Sequence, residues 1–378
     1  MDSSSKERLL SLDAFRGITI VGMILVNNEG DWDHVFPPLQ HAAWNGWTLA
    51  DLIFPFFLFI VGVAMSFSFA RHVTPSHGAK KIYLQVAKRT LLLFLLGLFL
   101  NALYYIPGGF SLSVLRIPGV LQRIALVYFF VSLIILHTTP RGQALAAMCL
   151  LLFYWAILEL VPVPGYGAGV LTPEGNLIAY IDNLLLHNHL NEPIDPEGIL
   201  STIPAISTTL LGVLTGYWIR SRRDPYEKVS GLFVMSSLGF IVGGIWDLFF
   251  PINKQLWTSS YVIFTAGLAL YFLASCYWLI DLKGYRRWAA PFIAFGVNAI
   301  SVYILSIVMD RLLWWVNVTQ PDGSIVDLKT WIYEHTSSLL AGYWLGDNFT
   351  SFCYALMYVL LWLGPMWMLY RRRIFISI

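Results

Sequence analysis

Charge is scarce in this chain. Asp, Glu, Lys and Arg make up only 12% of its 378 residues, whereas hydrophobic residues make up 57% and aromatic ones 16%. So few charges leave too little to coat a water-soluble domain, and with a mean hydropathy of +0.65 the composition points to an integral membrane protein. Cysteine is scarcer still. Cys149, Cys276 and Cys353 are odd in number and lie in or beside apolar runs, which suits packing residues and excludes a disulfide framework. There is no GxxxxGKS or GxGxxG loop to cradle phosphates, no HExxH, no CxxC and no basic stripe. Neither a nucleic-acid partner nor a metal is therefore expected. His187 and His189, in HNH, are a weak metal signal without carboxylates spaced to complete a site. No cleavable signal peptide is expected either, because Asp13 and Arg16 interrupt the first apolar stretch and no small-residue cleavage site follows.

What the chain has instead is long apolar runs. Runs of about 20 residues suffice to cross a bilayer, and ten are present: 12–28, 48–70, 84–106, 119–136, 143–161, 200–220, 231–250, 260–280, 289–309 and 351–370. The expected fold is all-α, a polytopic bundle of about ten transmembrane helices, with residues 1–378 forming one membrane domain. Fifteen Trp and nineteen Tyr suit interfacial belts and contacts with membrane lipid. With the N-terminus placed inside, only Arg116, Arg123, Lys254, Arg311 and Lys329 of the 24 Lys and Arg fall in outer segments, and Arg16 falls within the first span. The positive-inside rule then makes both termini cytoplasmic. Segment 29–47, which has no Lys or Arg, faces the other side. Two further outer loops, 162–199 and 310–350, the latter with a turn-like PDG at 321–323, are long enough to cap a site or to serve as plain connectors. The five-plus-five division permits an inverted repeat, yet neither DAFRG nor HAAWNG recurs in the second half.

Polar residues within or beside the spans form two sets. At the outer end stand Asn27, Asp51 (on one helix face with Thr48), Arg116, Gln122, Arg123, Glu159, Asp247, Asp310 and Arg311. They surround the stretch HAAWNGW, in which Trp44, Asn45 and Trp47 set His41 at the lip of the hydrocarbon slab. The inner end carries Asp13, Arg16, Lys88 and Arg89, and Asn298 lies about 14 Å into its run, near mid-membrane. Ionisable groups at such places either tie helices together or serve a site. The inner cations suit a phosphate-bearing ligand or simple anchoring equally well. A neutral amide such as Asn298 needs another helix or a ligand's amide groups.

Three stretches, SLDAFRGITIVGMILVN (11–27), HAAWNGWTLADLIFPFFLFIVG (41–62) and RIPGVLQRIALVY (116–128), concentrated in a motif-rich part at 8–136, resemble the heparan-alpha-glucosaminide N-acetyltransferase family and its bacterial NagX-type relatives. The resemblance implies a multi-pass inner-membrane enzyme that passes acetyl from cytoplasmic acetyl-CoA to the amine of a glucosamine-type sugar or glycan on the far side. It implies His41 as the catalytic histidine, Asn27 as its assistant, and a homodimer. The chain is expected to lack the N-terminal lumenal domain of the lysosomal enzyme, an expectation that favours a smaller sugar or a cell-envelope amine over heparan sulfate. The residues agree with this chemistry. An imidazole is a natural base for the amine proton near neutral pH, and an amide such as Asn27 can face the oxygen on which charge develops. Asp51 would orient the histidine, Trp44, Asn45, Arg123 and Asp247 would grip the sugar, and Arg16, Lys88, Arg89 and Asn298 would hold the acetyl-CoA. Direct transfer and a path through acetyl-His41 both fit. A transporter of amino sugars is the alternative reading, supported by the ten helices and Asn298.

Overall fold

The computed structural model describes residues 9–72, 79–106, 109, 111–190, 194–337 and 346–376, and statements of absence below refer to these. Lys6 and Arg8, which the positive-inside reading puts on the cytoplasmic side with the N-terminus, lie outside them.

The apolar runs all become helices: α1 (Leu10–Val26), α2 (Leu49–His72), α3 (Ala79–Leu103), α4 (Val120–His137), α5 (Pro140–Leu160), a short α6 (Leu177–Leu186), α7 (Thr202–Arg220), α8 (Pro225–Asp247), α9 (Ser259–Cys276), α10 (Ala290–Val297), α11 (Ala299–Trp315), a short α12 (Leu328–Ile332) and α13 (Asp347–Arg371). A π-helical turn, Tyr277–Leu282, extends α9. Eight of these are long and apolar enough to cross a membrane, and the bent pair α10–α11 makes a ninth. The 17 residues of α1 rise about 25 Å, slightly less than a typical hydrocarbon core. Each of the ten expected runs coincides with one of these ten elements.

One expected helix is not continuous. The run 289–309 breaks at Asn298, whose backbone leaves the helical region (φ −124°, ψ 33°), and α10 and α11 meet at 83°. The break has an identifiable setting. α10 is pressed onto α1 so closely that a Cβ on Gly296 would stand 1.9 Å from the Asp13 carbonyl oxygen, and one on Gly17 1.7 Å from that of Phe292. The Asn298 amide then serves the chain's tail, donating to Ile374 O (3.1 Å) and accepting from Ile376 N (2.8 Å).

The long loops also hold more structure than expected. Within 162–199 lies α6, capped by Asn176, whose side chain accepts from Ala179 N at 2.8 Å. Within 310–350 the PDG turn closes a hairpin of β1 (Asn317–Thr319) and β2 (Ile325–Asp327), with Val318 opposite Val326.

Close helix contact at small residues fixes the bundle. A Cβ on Gly62 of α2 would meet Thr209 O of α7 at 2.0 Å, and one on Gly212 of α7 would meet Phe59 O at 2.0 Å. α2, which carries Asp51, is thereby locked to α7. The start of α1 and the end of α13 share a groove lined by Leu10, Asp13, Tyr370 and Arg371. At the other end Ser351 Oγ accepts from Asp31 N at 3.0 Å. The two ends of the described chain therefore lie at one end of the bundle, and His41 lies at the other.

Candidate active site

Thr48 immediately precedes α2, and Asp51 sits one turn in. Asp51 reaches back to accept from Thr48 N (3.1 Å), as the acidic partner of a capping box does. The same oxygen, Oδ2, accepts from Ala42 N (2.9 Å) and from the Thr48 hydroxyl (3.1 Å). Its other oxygen lies 2.7 Å from His41 Nδ1. The carboxylate is 1% exposed and the imidazole 48%. An ionised carboxylate only accepts, so Nδ1 donates to it and the lone pair is left on Nε2. The cap that starts the helix thus also sets the histidine's tautomer.

A third group completes the cluster. Lys254 Nζ lies 3.0 Å from His41 Nδ1, 3.2 Å from Nε2 and 3.4 Å from Asp51 Oδ1. Burial lowers the pKa of its ammonium, and the carboxylates of Asp51 and Glu197 oppose that shift. Sequence reasoning counted Lys254 only as an outer cation. The available signal was its position as the sole charged residue of PINKQLW, a short link between two spans.

The 41–47 segment is clamped to that link. Gly46 N donates to Ile252 O (2.7 Å) with φ at +98°, and Asn253 Nδ2 donates to Asn45 Oδ1 (3.1 Å). Asp247 Oδ1 accepts from Ile252 N (2.6 Å), and Trp44 Nε1 donates to Leu171 O (2.9 Å). Trp44, Asn45 and Asp247, expected to contact sugar, are therefore joined to the scaffold that brings Lys254 onto His41. Arg123 lies inside the bundle, 1% exposed. It donates to Gly198 O (3.1 Å) and Ser201 Oγ, with its guanidinium 5.0 Å from the Trp257 ring. Arg116 binds Asp195 (2.7 Å) and Glu197 (2.8 Å), and both carboxylates raise its pKa against the effect of burial.

Two cavities open along α3, α4 and α11. At the His41 end, one of about 390 Å³ is lined by Asn27, Asn101, Tyr104, Arg116, Gln122 and Asp310 among others. His41 is not in its lining, but Glu197 links the two places: it binds the cavity's Arg116 and acts on Lys254. At the opposite end, a cavity of about 200 Å³ is lined by Arg16, Phe57, Met65, Arg89, Tyr128 and Ile300 among others. Its nearest element to the first cavity is α11, where Ile300 and Tyr303 line one cavity each, a rise of about 4.5 Å. The cavities therefore lie end to end along the bundle. Arg89 is 4.7 Å from the Tyr128 ring, and its Nε is buried without a hydrogen-bond partner among the described residues. Arg16 donates to Asp13 and to Gly296 O. Lys88 is exposed and outside the lining. Asn298 stands beside the second cavity and holds the tail whose Ile376 lines it. His189 Nδ1 lies 2.8 Å from Leu115 O, and no cluster of three metal-ligating side chains occurs among the described residues.

The profile of the family described as heparan-alpha-glucosaminide N-acetyltransferase, catalytic, matches residues 8–256, well over half of the chain. The chain belongs to that family. The heparan-alpha-glucosaminide N-acetyltransferase of Homo sapiens is 31% identical over 358 residues, covering 80% of this chain and 53% of the human protein. That of Mus musculus is 30% identical over 355 residues, with the same coverage of each. The chain thus spans about half the length of these relatives. Asn27, His41, Asp51 and Lys254 all fall within the stretch matched by the N-acetyltransferase profile, whereas Asn298 lies beyond it.

Proposed function

We propose that this protein is a transmembrane acetyltransferase that passes acetyl from acetyl-CoA, taken at the end of the bundle where the termini lie, to the amine of a glucosamine-type sugar at the His41 end. The observation that carries the reading is the His41–Asp51 pair. A half-exposed imidazole, with its Nδ1 hydrogen fixed on a buried carboxylate at 2.7 Å, presents a free Nε2 as general base. Family membership supports the reaction class, and the relatives' names supply the amine of a glucosaminide as the acceptor class.

The second cavity suits the donor. Its two arginines, one with an unpartnered buried Nε, offer fork-shaped donors to phosphate, while Phe57, Met65 and Ile300 line an apolar course towards the first cavity. The first cavity suits the acceptor, because amides, tyrosines and Asp310 can meet sugar hydroxyls and an ammonium group. Asn27, in its lining, is the amide we assign to the acetyl oxygen. The setting we infer is a bacterial inner membrane, with the termini cytoplasmic; the concentration of Lys and Arg on their side supports that sidedness.

Sided proteoliposomes test the reading. Acetyl-CoA is supplied to one face and labelled glucosamine to the other. N-acetylglucosamine should form on the sugar's side, and only when acetyl-CoA faces the termini. Uptake of unmodified sugar in the absence of acetyl-CoA would instead identify a transporter.

A further inference from the structure

We infer that Lys254 is a catalytic residue of this reaction, with its ammonium stabilising the oxyanion formed when the acetyl group is attacked beside His41. The inference rests on the acetyltransferase reading above and adds a residue that neither the sequence motifs nor the family resemblance assigns.

Two observations carry it. The first is geometric. Nζ stands 3.0 and 3.2 Å from the two ring nitrogens of His41. A point nearly equidistant from both cannot lie in the ring plane, because Cε1–H occupies that approach, so the ammonium sits over the ring face. It leaves the in-plane lone pair of Nε2 free for a proton. The second is an accounting of Asp51. A carboxylate offers about four lone-pair sites, two on each oxygen; Oδ2 takes Ala42 N and Thr48 N, the single Thr48 hydroxyl hydrogen has Gln40 O at 2.6 Å, and Oδ1 takes His41 Nδ1. One site on Oδ1 is left, and Lys254 Nζ stands 3.4 Å from that oxygen. A lysine whose side chain is only 14% exposed pays for desolvation, and the capping bonds to Oδ2 form without it. Its ammonium has three hydrogens, of which Asp51 engages at most one, so two are left for other acceptors beside the ring.

The groups around it hold its charge in place. Asp51 faces it from α2, His41 from the 41–47 segment, and Glu197 acts on it from the segment before α7. Tyr261 of α9 donates to the Asp51 backbone carbonyl, and Arg123 of α4 lies close enough to act on Tyr261.

In the step, the sugar nitrogen bonds to the thioester carbonyl carbon, and the C=O pair moves onto oxygen beside the Lys254 ammonium. His41 Nε2 takes the amine proton. As the carbonyl re-forms, the C–S bond breaks and the thiolate takes that proton from His41. Amine and thioester become amide and thiol, and Lys254 is unchanged.

The test compares Lys254→Met and Lys254→Arg with wild type, using acetyl-CoA and glucosamine. Loss of one oxyanion donor costs about 100- to 1,000-fold in kcat, so Lys254→Met should fall by that factor with KM for acetyl-CoA nearly unchanged. Lys254→Arg should recover a substantial part of the loss. A second arm needs no natural substrate: diethyl pyrocarbonate acylates His41, which is followed by mass spectrometry of the His41 peptide, and Lys254→Met should slow it. Wild-type kcat in Lys254→Met, or equal loss in both variants with a lowered Tm, would overturn the inference. If Lys254→Met fails to fold, Lys254→Arg is read alone: partial kcat at unchanged KM supports the role, and wild-type KM and kcat with an unchanged acylation rate oppose it. Slowed acylation without any glucosamine acetylation by wild type would retire the acetyltransferase reading and keep Lys254 as an acyl-transfer group. Active wild type with both arms unchanged would do the reverse.

Discussion

Asp51→Asn is the substitution whose effect can be worked most closely from the structure. Asparagine keeps the shape of the side chain and exchanges one acceptor oxygen for an NH2 group. On one side of the original carboxylate stand Ala42 N–H, Thr48 N–H and the Thr48 hydroxyl, and on the other stands His41 Nδ1. Two backbone donors cannot turn away, and facing them with NH2 would leave each unsatisfied at about 1–3 kcal/mol. The amide oxygen therefore takes that side, and the NH2 points at His41. Nδ1 must then accept, so the ring hydrogen moves to Nε2 and the base is lost. In the Ser-His-Asp proteases the equivalent exchange lowers kcat about 10⁴-fold, roughly 5 kcal/mol of transition-state stabilisation. The same order is expected here, with KM for acetyl-CoA little changed. The assay is steady-state formation of N-acetylglucosamine by monodisperse protein in detergent. A kcat for Asp51→Asn within tenfold of wild type would refute the assignment of the tautomer to Asp51.

Two other consequences are open to measurement. Arg89→Met removes a guanidinium from the second cavity; a charge-assisted contact is worth about 1.5–3 kcal/mol, so KM for acetyl-CoA should rise about 10- to 100-fold with kcat largely retained, and an unchanged KM would move the donor site elsewhere. Asp182, in α6, accepts from Ile199 N at 2.9 Å, but its Oδ2 is buried without a partner, and burial pushes its pKa from 3.8 up to about 6. The folded state then holds the proton more tightly than the unfolded state, so stability falls as pH rises from about 4 to about 6 and the penalty is complete above that. Asp182→Asn should accordingly raise Tm above about pH 6 and leave it nearly unchanged below about pH 4, as thermal unfolding followed across that range would show.

Much of the fold could be read from the chain because a bilayer leaves few options: every spanning segment must satisfy its own backbone, so apolar runs of sufficient length become helices. The break at Asn298 was not legible. It depends on Gly17 and Gly296 bringing α10 against α1 and on the tail that occupies the amide, contacts between residues far apart in sequence. The site divides the same way. His41 and Asp51 lie ten residues apart across a helix start, and local capping chemistry joins them. Lys254 reaches them from more than two hundred residues away, and only the clamp of Gly46 and Asn45 onto Ile252 and Asn253 reveals it. Arg123 and Asp247 were conspicuous as charges in apolar surroundings, yet sequence cannot separate a charge that meets a ligand from one that caps a turn, as Asp247 does for Ile252.

The most direct test of the account is acetyl transfer by the purified protein in detergent, with labelled acetyl-CoA and glucosamine, comparing wild type with His41→Ala. The account predicts N-acetylglucosamine from wild type and none above background from His41→Ala, with acetyl-CoA binding retained by both. Equal rates from the two proteins would contradict it.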